Sequence, residues 1–386
     1  MKILLFDFGA YTLPDIEACF RKKNIEYRLV TYHFGNKNED DFFIYRFQRF
    51  LEEESYDAVF SVNFFPLVAE CCYKKAIKYI SWSYDNPLNV VEIEKTLGYE
   101  TNYVFLFDRV QVERYQRAGF HNVYHMPLAV NTNRLDQIRM TKEEQSRYRA
   151  QVGFVGKLYD SPLQEYMALM DDYLNGYLEA VCQSQFNLYG YYLVDDLLSD
   201  AVIEQINQGF LARNQDTKFR MTREALSYAC AAQVTRRERV TLLALLSARH
   251  DVKIYSRENN EVLSKAHFMG SVGYLREMPK VFKASDINLN INLKISQSGM
   301  PLRVLDILGA GGFLLSSYQP EVAEYFDDGQ EVVLYQSIED AVEKAQFYLA
   351  NDVIRKKIAE NGYRKVKEHF SYENQIEKIW KIAKMS

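Results

Sequence analysis

Short apolar runs that alternate with amphipathic stretches constrain this chain more than anything else in it. KILLFDFG (2–9), YRLVTY (27–32), YDAVFSVN (56–63), KYISWSYD (78–85), NYVFLFD (102–108) and NVYHMPLA (122–129) have the β-branched and aromatic content of buried strands, and helical patterns at 39–54 and 64–76 separate several of them. A strand that returns through a helix pairs in parallel with the one before it. The rhythm therefore predicts an α/β chain whose parallel sheet is covered by helices on both faces.

A second series opens at QVGFVGK (151–157) and resumes, after a long interruption, with DVKIYS (251–256), HFMGSV (267–272), a helix near 275–284, DINLNINL (286–293), FLLSS (313–317), a short helix near 320–326, EVVLYQ (331–336) and two further helices. The interruption, about 161–248, has helical periodicity and many charges, and FNLYGYYLVDD within it has no assignable period. Two α/β halves in tandem follow, joined near 130–150. No short repeat or low-complexity tract is present.

Charge and cysteine usage narrow the partners. A net charge of −5 and a pI near 5.8 leave no basic footprint for a phosphate backbone, and the densest basic run, TRRER at 235–239, reads as a solvated helix face. Nucleic acid is excluded on that ground. Five cysteines, Cys19, Cys71, Cys72, Cys182 and Cys230, are odd in number and lack C-x-x-C spacing, which fits reduced thiols and a cytoplasmic setting. The N-terminal apolar run is too short for a signal peptide and reads as a first strand, and no stretch of about 18 uncharged apolar residues occurs. An integral membrane segment is not expected, although peripheral membrane contact stays open. Aromatic residues make up 14%, and such rings stack on sugars but more commonly pack.

In open α/β sheets ligands sit beyond the carboxyl ends of the strands. PLRVLDILG (301–309) reads as a helix with Pro301 in its first turn and Ser298 or Gly299 as possible caps. Free amides and the positive end of the helix dipole suit a phosphate there, Arg303 adds a forked donor, and Asp306 can accept hydrogen bonds from vicinal hydroxyls such as those of a ribose. The competing reading is an i,i+3 surface ion pair. GFVGKLYDSP (153–162) puts Gly156 at a strand end and Lys157 where a helix can begin, a place for a phosphate. It lacks both the P-loop and the G-x-G-x-x-G pattern, so ATPase and dehydrogenase readings lose their support. SWSYDNPLNV (81–90) brings Trp82, Tyr84, Asp85 and Asn86 to another strand end, with Asp85 either facing a ligand or making an Asx-type turn before Pro87. Gly9 allows close approach after the first strand, and His125 lies near the junction of the halves, as a packed residue or a cleft residue. His121 and His125 are four apart on a strand, so they share no helical face for a metal, and neither a D-x-D nor a G-x-S-x-G sequence is present.

LRVLDILGAGGFLLSSYQPEVAEYFDDGQEVVLY, followed by IRKKIAENGYRKVKEHFSYENQIEKIW, resembles the C-terminal half of CgeB-like (spore-maturation type) members of the group-one glycosyltransferases, and YISWSYDNPL with NYVFLFDRVQVERYQRAGFHNVYHMPLAVNTNRL resembles the N-terminal domain of bacterial members. The resemblance spans most of the chain outside 161–248. It implies GT-B architecture, two Rossmann-like domains facing a central cleft with a helical insertion in the second. The expected bounds are 1–150 for an acceptor-side domain, 151–370 for a nucleotide-sugar domain, and 371–386 for a helix crossing back to the first.

On this resemblance VGKL at 155–158 is similar to the group-one VGRL turn, so that Lys157 meets the phosphates of the sugar donor. Arg303 lies in the LR-x-x-[DE] run and Asp306 matches the ribose-binding acid. Group-one enzymes often carry a second acid eight positions earlier, where this chain has Ser298, next to Gln297. That departure leaves open which sugar is selected and whether configuration is retained. The resemblance further implies a cofactor-free, metal-independent hexosyltransferase that uses a nucleotide-sugar donor, UDP-linked on frequency in the family, and an acceptor that is a glycan, a protein or a small molecule. Lys157, Arg303 and the backbone at Ser298, Gly299 and Met300 would stabilise the departing diphosphate, and Asp85 would be the general base of an inverting reaction or an orienting group in a retaining one. A non-catalytic sugar-binding or spore-coat module and a sugar-nucleotide epimerase are the alternatives on the same fold.

Overall fold

The computed structural model describes residues 1–36, 38–88, 93–213 and 219–385. Asn89 and Val90 of the 81–90 stretch, and 214–218 of the long interruption, lie outside them. The predicted strands are present, most of them shorter than their apolar runs and β6, β9 and β12 by half or more: β1 Lys2–Asp7, β2 Glu26–Thr31, β3 Ala58–Val62, β4 Lys78–Ser83, β5 Asn102–Leu106 and β6 Val123–His125, then β7 Ala150–Val155, β8 Val252–Tyr255, β9 His267–Phe268, β10 Ser285–Asn290, β11 Leu314–Ser317 and β12 Val333–Tyr335. They form two six-stranded sheets, in the orders β2-β1-β3-β4-β5-β6 and β12-β11-β10-β7-β8-β9. Every strand pair is parallel.

Contacts divide the chain into a first unit of Met1–Asp136, Gly299–Gly309 and Lys365–Ser386, and a second of Gln137–Ser298 and Ala310–Arg364. The segment with Arg303 and Asp306 is thus described with the first unit, and the first boundary falls before 150. Helix Leu302–Gly309 packs there because Gly309 lies against Val130 and Leu135, with room for no Cβ: one would stand 2.9 Å from Val130. Helix Tyr372–Ile382 belongs to the same unit through Trp380, whose ring lies 5.9 Å from Phe20 and 5.8 Å from Phe60.

The first core is aromatic. Phe6 on β1 meets Phe34, Phe43, Phe47 and Phe65 at ring distances of 5.2 to 5.7 Å, and burying each such ring contributes roughly 1.5–3 kcal/mol. Helix Asp41–Glu53, which supplies Phe43 and Phe47, starts where the Asp40 carboxylate accepts the Phe43 amide at 2.8 Å.

In the second unit the interruption is a helical layer built on Leu174, Leu178, Val181, Leu226, Ala229 and Val234. Its longest member, Arg223–Ser247, continues past that layer, so that Leu242, Leu243 and Leu246 pack on the sheet with Val152, Ile254 and Leu289. Among the described residues no helix is long and apolar enough to cross a membrane.

Three expectations change. TRRER is not a solvated face: Thr235 and Glu238 are fully buried and Arg239 is 8% exposed, because segments distant in sequence close over them. No helix begins at Lys157, the next one being Leu163–Met167. Three helices, not two, follow the last strand: Ile338–Ala350, Asp352–His369 and Tyr372–Ile382.

Candidate active site

In the first unit the carboxyl ends of β1, β3, β4 and β5 gather polar groups. Asp7 closes β1 and its carboxylate accepts the amides of Gly9 and Ala10, both at 2.9 Å. Gly9 can follow that turn because its φ is +88°, which an L side chain rarely adopts. Asn63, at the end of β3, accepts the amides of Tyr84 at 2.7 Å and Asp85 at 3.2 Å, and donates to the Asp85 carboxylate at 2.8 Å. Asp85 is exposed, so this carboxylate is held in place yet open to a ligand. Asn86 donates to Asp108 at 2.7 Å, and Asp108 also caps helix Arg109–Arg117 through the Gln111 amide.

Arg303 and Asp306 form an i,i+3 ion pair of 3.6 Å, with side-chain exposures of 28% and 6%. The carboxylate is buried and the guanidinium half-buried, so the pair is not a solvated surface bridge. Tyr11 shares its surroundings. Tyr11 is 54% exposed, and partial desolvation of its hydroxyl, with Asp306 and Asp85 adding and Arg303 opposing, raises the phenol. Tyr84 meets Tyr372 at 3.2 Å, and burial raises its phenol, with Tyr11, Asp15 and Asp306 adding to the shift. Asp15, 2% exposed, receives a two-pronged grip from Arg134 at 2.8 Å on each oxygen.

Several predicted residues have structural surroundings. Trp82 is fully buried between Tyr84 and Tyr372. Met300 is 1% exposed, and Gly299 lies on Phe107 and Asp108, where a Cβ would come within 2.7 Å and 2.9 Å. His125 is half-buried on β6.

In the second unit Lys157 is exposed after β7 and Gly156 half-buried, 3.5 Å from Arg239 at the position a Cβ would take. The next two amides are occupied. Those of Leu158 and Tyr159 both donate to the Glu258 carboxylate, the second at 2.7 Å, in a concave turn made by Tyr159 at φ +67°. A protein carboxylate thus takes these two amides, and the Lys157 side chain is exposed beside them. Gln297 donates to Asp195 at 3.2 Å, and Ser298 donates to the buried Glu321 at 2.7 Å. Gln297 lines, with Tyr189, Asn292, Lys294 and Gln319, a recess of about 20 Å³, room for a water and not for a sugar.

Sequence reasoning passed over Asn63, Asp108, Tyr11 and Asp15. Asn63 and Asp108 are the final residues of two runs it read as strands, so the strand-end rule would have flagged both. Tyr11 and Asp15 carried no such signal.

The two parallel sheets are those of the GT-B glycosyltransferase fold. Anabaena HepE in complex with UDP-glucose superposes with a TM-score of 0.57 at 10% identity over 100% of both chains. Sucrose-phosphate synthase from Thermosynechococcus elongatus gives 0.58 at 9%, over 100% of this chain and 98% of that one, and WaaG, a glycosyltransferase involved in lipopolysaccharide biosynthesis, gives 0.54 at 12% over 99% of both. Residues 220–381 match the model of the family described as Glycosyl transferase-like. No curated protein matches the chain in sequence.

Proposed function

We propose that this chain is a metal-independent glycosyltransferase of the CgeB-like group that moves a sugar from a nucleoside diphosphate, UDP in the first instance, to an acceptor hydroxyl in the cytoplasm of a bacterium. The observation that carries the reading is the Arg303–Asp306 pair. It lies inside the matched stretch 220–381, with a buried carboxylate suited to ribose hydroxyls and a half-buried guanidinium suited to phosphate. The HepE structure, by its description a complex with UDP-glucose, supports the donor class.

In the reaction the bond from the anomeric carbon to the diphosphate oxygen breaks and a bond to the acceptor oxygen forms. The leaving diphosphate is neutralised by a preorganised cation, at lower cost than reorganising water; the first unit offers Arg303 for this and the second offers Lys157. Asp85, held by Asn63, takes the acceptor proton if configuration inverts, and orients the acceptor if it is retained.

The test is a thermal-shift panel of UDP-, GDP-, ADP- and dTDP-sugars, followed by donor hydrolysis with the purified protein. A ligand of the folded state raises the melting temperature by mass action. The reading requires one member to do so and to be turned over; a panel without any shift refutes it.

A further inference from the structure

Helix Arg223–Ser247 carries a polar belt between its two apolar halves. Thr235, Glu238 and Arg239 are spaced i, i+3 and i+4, so they share a face, and all three are buried. Buried ionic groups are a poor source of stability, since apolar residues of the same volume often do as well. What the belt touches is specific.

Thr235 accepts the amide of Lys294 at 3.0 Å. Glu238 pairs with the Lys294 ammonium at 2.8 Å, and its other oxygen accepts the hydroxyls of Tyr189 at 3.1 Å and Tyr335 at 3.0 Å. Burial, with the Glu238 carboxylate adding, pushes both phenols up and keeps them as donors. The Arg239 guanidinium donates to the carbonyls of Lys157 and Ile291 while lying over the rings of Phe154 and Tyr159, at 5.3 and 4.8 Å. Lys157 belongs to the turn leaving β7. Ile291 to Lys294 belong to the segment leaving β10 toward Gln297 and Ser298. One planar fork therefore grips both exits at once.

We propose that this face is the positioning device of the donor-side loops, with Arg239 setting the Gly156–Lys157 turn and the 291–298 segment in register. This rests on the donor reading above. The three belt residues act through the backbone they hold, at Lys157, Ile291 and Lys294. A lysine at 239 keeps the charge but has no fork, so it holds one carbonyl only, and a methionine holds neither.

The test compares R239M, R239K and T235V with the parent by amide hydrogen exchange and by UDP titration. R239M is expected to raise exchange at least about tenfold, the worth of a hydrogen bond to a charged group, in both 156–161 and 291–298, with β7 and β10 unchanged. UDP binding weakens by a similar factor, and R239K falls between R239M and the parent. T235V is expected to loosen 291–298 alone. If R239M does not fold, the folded R239K must still loosen both segments. Parent-like exchange in either segment of the folded arginine variants overturns the proposal. A parent that binds no UDP would refute the donor reading, while the exchange result would still decide whether Arg239 sets the two loops.

Discussion

Asn63 holds Asp85 by both ends of its amide, donating to the carboxylate at 2.8 Å and accepting the Asp85 backbone N–H at 3.2 Å. An exposed carboxylate is ordinarily free to rotate; this one has a fixed direction. Asn63 reaches it from a left-handed conformation, φ +67°, that few residues other than asparagine and glycine tolerate. Replacing Asn63 with glycine keeps the backbone and removes the grip, so kcat should fall by about a hundredfold, the cost of a misplaced reacting group, with donor affinity unchanged. D85N should fall by about 10²–10⁴. Steady-state kinetics measures both, and an undiminished D85N takes Asp85 out of the chemistry.

Lys157 is exposed, so K157A should leave stability within about 0.5 kcal/mol, whereas R303E sets a second carboxylate beside the buried Asp306 and should lower the melting temperature. Donor binding should respond in both. R303E and K157A are each expected to weaken UDP binding at least about tenfold, the loss of one charge-assisted contact. D306A should do the same and also lower the melting temperature, because the partner of Arg303 is lost from a buried position. Calorimetric titration on folded variants decides; parent-like affinity in all three would end the pyrophosphate-and-ribose reading.

Gly299 is fixed by packing against backbone. A Cβ there would stand 2.9 Å from the Asp108 Cα, an atom that cannot rotate away. G299A should therefore destabilise the first unit by about 1–3 kcal/mol. A shift of the urea midpoint of that size is the measurement, and a neutral substitution would show that the β5 exit yields easily.

Burial pushes the thiols of Cys19 and Cys71 from 9.0 up to about 12. Between these values the unfolded chain has released both protons and the folded chain has not. The native state then binds more protons, so stability present below pH 9 is lost as pH rises toward 12, by up to roughly 1.4 kcal/mol per pH unit for each thiol. Urea unfolding at pH 8, 9 and 10 should show that decline, and the double variant C19A/C71A should show a shallower one. Equal slopes would contradict the assignment.

Much of the fold was legible because strand and helix periods are local. The runs at 2–9 and 102–108 announced β1 and β5 within a few residues. The spacing of Arg303 and Asp306 was equally legible as one helical turn, but whether that turn faced water was not. TRRER was misread for the same reason: its charges look solvated until Lys157 and Ile291, 82 and 52 residues away, supply the carbonyls that Arg239 grips. The turn after β7 was misjudged because Glu258, 100 residues from Leu158, takes the amides that a helix start would have left free.

By its sequence alone the chain determined which segments are strands, that they pair in parallel, and which polar residues end them, since side-chain volume, branching and period act over a few residues. The tertiary structure decided that Asp306 is buried, that Asn63 aims Asp85, and that Glu238 and Arg239 lie inside. Those outcomes depend on which distant groups arrive to exclude water and to satisfy a charge, and that is a property of the packed chain and not of any stretch of it.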